Sequence, residues 1–162
     1  MRTPTLQDLA DRAAISDVVH AYAAELDARD WAMLEGCLTD PVHIDYTTYD
    51  PSLDLEMPAA EWARRVREGL SGFDATHHMS ANHRHELRGD EARCVSYMSA
   101  AHFLREGERQ DVCFLYGYYT NDLKRTASGW RIAKCALTIT ASHGDSTVFA
   151  RAVERFSRRR LP

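Results

Sequence analysis

At 162 residues the chain is long enough to bury a substantial core, and we expect residues 1–162 to fold as a single domain. With 44% hydrophobic and 27% charged residues, the composition excludes a disordered chain, and no apolar run approaches the roughly 20 residues of a membrane-spanning helix. The net charge of −4 argues against a nucleic-acid binder, so the basic run 158–160 is interpreted as a solvated tail.

The cysteine pattern predicts free thiols. Cys37, Cys94, Cys113 and Cys135 lie far apart and form no Cys-x-x-Cys pair, so neither a zinc ribbon nor a redox motif is indicated. The N-terminus also carries no apolar signal region. We therefore expect a cytoplasmic protein without disulfides.

A long amphipathic helix is predicted at the start of the chain. Apolar residues recur at helical spacing from Leu6 to Leu26, which predicts a helix ending near Asp27. Its first turn could be capped by Thr3 followed by Pro4, or by the pattern Thr5-x-x-Asp8.

Three shorter elements are predicted next. Asp30 is expected to cap a short helix over 31–38, and the alternation of Val42, Ile44 and Tyr46 predicts a strand from Pro41 onward. A loop rich in Asp and Pro should follow, and then a third helix over 58–70.

The second half of the chain has the pattern of long strands separated by turns. The predicted strands are 75–87, 92–104, 111–124 and 130–142, and a helix over 146–158 follows them. Helices followed by an antiparallel meander indicate an α+β fold. Strands of 12 or more residues exceed the usual length, so the sheet should be twisted and bulged, with a pocket on its curved face.

Two residues of the first helix could take part in chemistry. Tyr22 lies in the apolar arc, where it is either a core tyrosine or a hydrogen-bond donor in a pocket. Asp27 lies at the C-terminal end, where a carboxylate opposes the helix dipole at a cost of about 0.3–1 kcal/mol. Asp27 is therefore either a surface residue that ends the helix or a carboxylate with a specific partner.

Histidines are concentrated on the first long strand and on its neighbour. Strict alternation would put His77, His83 and His85 on one face and His78 and Asn82 on the other, so only one of His77 and His78 can face the helices. His83 and His85 have the spacing of a His-x-His metal pair, but no third ligand stands at a recognisable spacing, so no metal site is predicted.

A further histidine stands within an apolar run on the next predicted strand. His102 is either a core residue with satisfied hydrogen bonds or a second pocket histidine. The sequence contains no Gly-x-Gly-x-x-Gly, no P-loop, no Gly-x-Ser-x-Gly and no His-Glu-x-x-His. No cofactor is therefore expected.

Several motifs along the chain resemble one family. These are Arg12-Ala-Ala-Ile-x-Asp17 followed by Tyr22-x-x-x-x-Asp27, Thr76-His-His-x-x-x-Asn82, Tyr119-Thr-Asn-Asp-Leu-x-Arg125 and Gly129-Trp-Arg-Ile132. Together they resemble the SnoaL-like group of the nuclear transport factor 2-like superfamily. The resemblance implies a cone-shaped α+β barrel, in which a curved, mostly antiparallel sheet wraps around N-terminal helices and leaves an apolar pocket.

The same resemblance implies roles for individual residues. Asp27 and His78 are similar in position to the catalytic Asp-His dyad of the dehydratase and dehydrochlorinase members, such as scytalone dehydratase, bile-acid 7α-dehydratase and hexachlorocyclohexane dehydrochlorinase. Tyr22 resembles an active-site tyrosine, and His102 a second catalytic histidine. Three residues are expected to bind substrate: Tyr46, Asn82 and Tyr119.

The function expected from these residues is acid–base catalysis without a cofactor. A dehydratase acting on a small cyclic or polyketide-like hydroxy-carbonyl compound is favoured; an isomerase or polyketide cyclase with the same dyad and a non-catalytic ligand-binding dimer are the alternatives. We expect a small hydrophobic or aromatic substrate, no nucleic-acid or membrane partner, and assembly into a homo-oligomer, either dimer or trimer.

Overall fold

The computed structural model describes residues 3–160, in which four helices pack against one six-stranded sheet. The helices are α1 Leu6–Ala28, α2 Trp31–Gly36, α3 Ala59–Leu70 and α4 Val148–Arg160. The strands are β1 Leu38–Asp45, β2 Asp54–Met57, β3 Ala75–Arg88, β4 Glu91–Glu106, β5 Arg109–Thr126 and β6 Gly129–Gly144. The predicted α+β class is confirmed, and the N-terminal helices and the sheet form a cone-like fold.

The strands are arranged in the order β2-β1-β6-β5-β4-β3. Neighbouring strands are antiparallel except for β1 and β6, which are parallel, so the sheet is mixed and it does not close into a barrel. Strand β2 lies where the sequence pattern predicted only a loop. It has four residues, too few for alternation to be recognised, and it forms only by pairing with β1.

Helix α1 is fixed at both ends. Of the two predicted starts, the second is confirmed: the Thr5 hydroxyl accepts from the Asp8 N–H at 3.1 Å, and the Thr5 N–H donates to the Asp8 carboxylate at 2.6 Å. At the other end, Arg29 adopts a left-handed conformation with φ of 60°. Its guanidinium donates to the carbonyls of Leu70 and Phe73, at 2.9 and 2.8 Å. These contacts fix the end of α1, and Asp27 with it, beside the start of β3.

One stripe of α1 forms part of the core. Ile15, Val19, Tyr22 and Leu26 recur every three or four residues and are at most 5% exposed. Burying each aliphatic side chain in this stripe contributes about 1.5–3 kcal/mol, and this burial seats the helix against the sheet. Tyr22 is therefore held inside the fold by the same packing that stabilises the helix.

A bulge in β3 overturns the strict alternation assumed from the sequence. Asn82 has a φ of 53°, a left-handed conformation that asparagine tolerates better than most residues, and the pairing with β4 shifts between Ala81 and Arg84. The extra residue shifts the alternation, so that His83 and His85 lie on the inward face that His78 also occupies. The prediction that His78 and Asn82 share a face was therefore wrong, because Asn82 is exposed on the outer side.

All four cysteines are buried and none is in a disulfide. Among residues 3–160, no helix combines the length and the apolar character that crossing a membrane requires.

Candidate active site

An apolar cavity lies between the helices and the sheet. Its volume is about 190 Å³. Residues from α1, α3, α4 and the sheet line it, including Leu26, Val66, Met98, Leu137 and Phe149. The few polar groups in this lining therefore have an environment in which hydrogen bonds and charges are poorly screened by water.

Asp27 and His78 meet at one side of this cavity. His78 lines it, and its Nδ1 is 2.7 Å from Oδ1 of Asp27. The backbone N–H of His78 donates to Oδ2 at 2.7 Å, and the Thr76 hydroxyl donates to Oδ1 at 2.8 Å. The side chain of His78 is 7% exposed. The carboxylate therefore fixes both the ring and the backbone of the histidine.

The Asp27 carboxylate is held in its ionised form. Burial alone would raise its pKa, but the hydrogen bonds from the ring and backbone of His78 and from Thr76 outweigh burial and lower the pKa below 3.8. These bonds also compensate for the unfavourable position of a carboxylate at a helix C-terminus. An ionised Asp27 accepts hydrogen bonds only, so the proton between the two side chains belongs to Nδ1 of His78.

The tautomer of His78 follows from this contact. With Nδ1–H donating to Asp27, Nε2 carries the lone pair and is the nitrogen that can accept a proton. A carboxylate in this position also stabilises the imidazolium that forms after proton uptake. This geometry suits the pair to the roles of a general base and the group that orients it.

A second polar group in the cavity is the Tyr22 hydroxyl. It accepts a hydrogen bond from the indole N–H of Trp62 at 2.9 Å and lies 3.1 Å from the Tyr46 hydroxyl. The Tyr46 hydroxyl in turn lies 3.5 Å from Sγ of Cys135. When Tyr46 donates to Tyr22, both acceptor positions of the Tyr22 oxygen are filled, and its own proton can be donated to the Cys135 thiol or to a ligand.

The phenols of this group remain protonated at neutral pH. Burial raises the pKa of Tyr22 and Tyr46 well above 10, and it also raises the pKa of the adjacent Tyr119 above its ordinary value. Tyr22 and Tyr46 are 3% and 9% exposed. A protonated phenol donates hydrogen bonds, so Tyr22 is suited to meet a developing negative charge or a departing hydroxyl.

His102 lies beside the dyad. Its ring is 5.3 Å from that of His78 in an edge-to-face arrangement and 4.7 Å from that of Phe149. Burial, and then the neighbouring His78, lower its pKa to about 4, so the ring is neutral at pH 7. Its Nδ1 is buried and has no hydrogen-bond partner within residues 3–160. A bound molecule with a hydroxyl group could supply that partner.

The structure brings together six of the seven site residues expected from the sequence. Five of the expected residues line the cavity: Tyr22, Tyr46, His78, His102 and Tyr119. Asp27 contacts the cavity through His78. Asn82 does not belong to this group, because the bulge turns it to the outer face.

Sequence reasoning missed Trp62 and Cys135, which bond to the tyrosines. The apolar stripe that Trp62 shares with Val66 and Leu70 on α3 was the one available signal for it. Cys135 gave no signal, since a buried thiol on a strand is indistinguishable from an ordinary core residue.

Comparison with known proteins places this geometry in a family. A family model described as a SnoaL-like domain matches residues 7–136. The chain belongs to the SnoaL-like family. This confirms the resemblance to the SnoaL-like group that was drawn from the sequence motifs.

Solved structures share the fold of this SnoaL-like chain. A protein of Kribbella flavida has a TM-score of 0.81 at 27% identity, covering 88% of this chain and 98% of its own. A candidate scytalone dehydratase of Novosphingobium aromaticivorans has a TM-score of 0.72 at 18% identity, with 85% and 89% covered. A type 2 hexachlorocyclohexane dehydrochlorinase has a TM-score of 0.71 at 22% identity, with 87% and 93% covered. At these identities the last two show a common fold.

Proposed function

We propose that this protein is a cofactor-independent lyase, a dehydratase that removes water from a small cyclic or polyketide-like hydroxy-carbonyl compound. The observation that carries the proposal is the 2.7 Å contact between Nδ1 of His78 and the Asp27 carboxylate at the wall of an apolar cavity. This contact leaves Nε2 of His78 as a positioned base in a site with a largely apolar lining.

The first step of the proposed reaction is proton abstraction. Nε2 of His78 takes the proton from the carbon next to the substrate carbonyl, and the electrons of that C–H bond move onto the carbonyl oxygen as an enolate. Asp27 stabilises the resulting imidazolium through Nδ1–H. The Tyr22 hydroxyl donates a hydrogen bond to the developing negative charge in place of its contact with the Cys135 thiol.

The second step expels the hydroxyl group. The enolate electrons return to form a carbon–carbon double bond as the β-carbon–oxygen bond breaks, and the hydroxyl takes up the proton held by His78 and leaves as water. The cycle returns the imidazole to its neutral form, so no external oxidant or reductant is consumed. His102, neutral and with an unpaired Nδ1, is proposed to accept a hydrogen bond from a substrate hydroxyl and so to position the ring.

The size of the cavity restricts the substrate. An apolar cavity of about 150 Å³ is large enough for benzene, so about 190 Å³ fits one six-membered ring with a few small substituents. The lining is largely apolar, and the polar contacts are limited to a few groups such as Tyr22, His78 and His102. A monocyclic substrate with one carbonyl and one hydroxyl group matches both features.

The similarity to other proteins supports an elimination reaction. Two of the similar structures are named as a candidate dehydratase and a dehydrochlorinase, and both names describe loss of a small molecule from a substrate. Hydroxide is a poorer leaving group than the chloride that a dehydrochlorinase expels. In this protein the donors Tyr22 and His78 would assist the departure of the hydroxyl group.

The test is a screen of cyclic β-hydroxy-carbonyl compounds for release of water, followed by substitution of the dyad. We expect His78→Gln to lower kcat by at least about 100-fold, because general acid–base catalysis contributes about 10²–10⁴-fold. His77→Gln is the matched control, since His77 is its exposed neighbour on the opposite face of β3. It should leave turnover unchanged.

The outcomes of this screen separate the alternatives. A product that keeps the elements of water, formed in a reaction that depends on His78, would identify an isomerase or a cyclase with the same dyad. Binding of ring compounds with no turnover, unaffected by His78→Gln, would identify a non-catalytic ligand-binding protein and contradict the proposal.

We also propose that the protein assembles as a homo-oligomer through the outer face of the sheet. Met79, Tyr97 and Tyr116 on β3, β4 and β5 are 52%, 62% and 40% exposed. Met79 and Tyr116 both pair with Ser99, so their side chains belong to one continuous patch. Large apolar residues grouped on a surface are typical of an interface with another protein.

A further inference from the structure

A second group of reactive side chains lies inside the fold, away from the cavity. His83 and His85 on β3 face Ser16 of α1 and the buried Cys94 of β4. None of these four residues lines the active-site cavity. The bulge at Asn82 creates the group, because it turns both histidines towards the helix.

The three potential metal ligands lie close together. One ligand atom from each of His83, His85 and Cys94 lies within 4.8 Å of the other two. A tetrahedral ion with bonds of about 2.0–2.3 Å separates its ligands by about 3.3–3.8 Å. The side chains therefore need to move by about 1 Å or less to coordinate one ion.

The backbone already holds these ligands in register. His85 and Cys94 are direct partners across β3 and β4, and the sheet fixes their separation. The His83 ring is held by Ser16 at Nδ1 and Ser80 at Nε2, at 2.9 and 3.0 Å, and Ser16 also bonds Nε2 of His85 at 2.8 Å. Hydroxyl groups rotate at little cost, so one of them can release a histidine nitrogen to a metal.

An unpaired buried oxygen lies beside the same group. Asn121 of β5 is the direct partner of Cys94, and it is 2% exposed. Its amide oxygen has no hydrogen-bond partner within residues 3–160. A buried polar atom without a partner is unfavourable, and a metal ion on the neighbouring Cys94 would offer it a positive charge.

We propose that His83, His85 and Cys94 form a binding site for Zn²⁺, with the Asn121 amide oxygen facing the ion. Two imidazoles and a thiolate are ligands that zinc favours, whereas Mg²⁺ and Ca²⁺ prefer oxygen. The third ligand that sequence spacing did not reveal comes from the neighbouring strand. Because Ser16 hydrogen-bonds both histidines, the bound ion links α1 to β3 and β4 and stabilises the fold.

The test is metal titration of the purified protein without an affinity tag. With Zn²⁺ alone, calorimetry should give one equivalent per chain. With Co²⁺ as a spectroscopic substitute, a sulfur-to-metal charge-transfer band in the near ultraviolet should appear and should be displaced by Zn²⁺. The melting temperature should rise on Zn²⁺ addition, as it does for any ligand that binds the folded state.

Matched variants assign the ligands. Cys94→Ser should abolish the charge-transfer band. Cys94→Ser and His85→Asn should each weaken Zn²⁺ binding by about 100-fold or more, which is a larger loss than removal of a group that only orients a ligand would cause. His77→Asn, an exposed histidine on the same strand, should bind as the wild type does. His78→Gln should also bind normally, which would separate this site from the dyad.

Two results would overturn the proposal. One is the absence of saturable Zn²⁺ binding by the folded protein. The other is binding that persists unchanged in both Cys94→Ser and His85→Asn, since the ion would then sit elsewhere. His85 is only half-buried, so its variant tests the site even if Cys94→Ser proves unstable.

Discussion

Replacing Asp27 with asparagine tests the proposed base without knowledge of the substrate. The carboxylate accepts three hydrogen bonds: Oδ1 from Thr76 and from Nδ1 of His78, and Oδ2 from the His78 backbone. An amide has only one oxygen. If that oxygen faces the backbone N–H, the amide NH₂ points at Nδ1 and forces the proton of the imidazole onto Nε2.

The expected effect on catalysis is large and the effect on folding is moderate. With its proton on Nε2, His78 no longer presents a lone pair to the cavity, so turnover should fall by about 10²–10⁴-fold. Hydrogen bonds to a charged acceptor become bonds to a neutral amide, which should lower the free energy of unfolding by about 1–3 kcal/mol. The variant should therefore remain folded while it loses activity.

The assay is a long-range proton–nitrogen NMR correlation of the imidazole nitrogens, together with urea unfolding. In the wild type, His78 should carry its proton on Nδ1, and in Asp27→Asn on Nε2. Asp30→Asn is the control, because asparagine caps helix α2 as well as aspartate does and Asp30 makes no contact with the dyad. A wild-type His78 protonated on Nε2, or an unchanged tautomer in Asp27→Asn, would refute the reasoning.

Three further predictions concern the acid, the pH dependence of stability and the assembly. Tyr22→Phe should lower kcat about 100-fold, whereas Tyr118→Phe, at a tyrosine outside the cavity lining, should leave it near the wild-type value. Equal kinetics in the two variants would exclude Tyr22 as donor. Burial lowers the pKa of His102 from 6.5 to about 4, so between pH 6.5 and pH 4 the unfolded chain binds more protons than the folded chain does. The free energy of unfolding should therefore fall by about 3 kcal/mol as the pH drops through this window. Urea unfolding across that range should show this loss, and His102→Gln should reduce it. Tyr97→Lys, at the most exposed tyrosine of the outer patch, should convert the oligomer to a monomer in analytical ultracentrifugation, whereas an unchanged sedimentation coefficient would show that this face is not the interface.

Local patterns predicted the elements that carry the dyad. The helical periodicity from Leu6 to Leu26 placed Tyr22 in the apolar arc, and Asp27 stood out because a carboxylate at a helix C-terminus needs a partner. Alternation alone could say only that one of His77 and His78 faces the helices. The family resemblance selected His78, and the structure has this residue inside and its neighbour exposed.

Features that depend on pairing between distant residues were not predictable. Strand β2 exists only as a partner of β1, and Trp62 joins the tyrosines only because α3 packs across the cavity. The contact of Cys94 with His85 depends on the register of β3 against β4, which neither segment encodes by itself. The periodicity within a segment can be recognised from a single sequence, whereas the register between distant strands cannot.

The bulge at Asn82 shows how one residue changes the chemistry of a strand. With strict alternation, His83 and His85 would point outward beside His77, and β3 would offer only His78 to the interior. The inserted residue shifts the alternation after Ala81, so that His83 and His85 face inward. The strand therefore presents the dyad histidine before the bulge and two potential zinc ligands after it. Because the left-handed backbone at Asn82 is what permits this shift, the geometry of the proposed zinc site depends on a residue whose own side chain lies on the outer face.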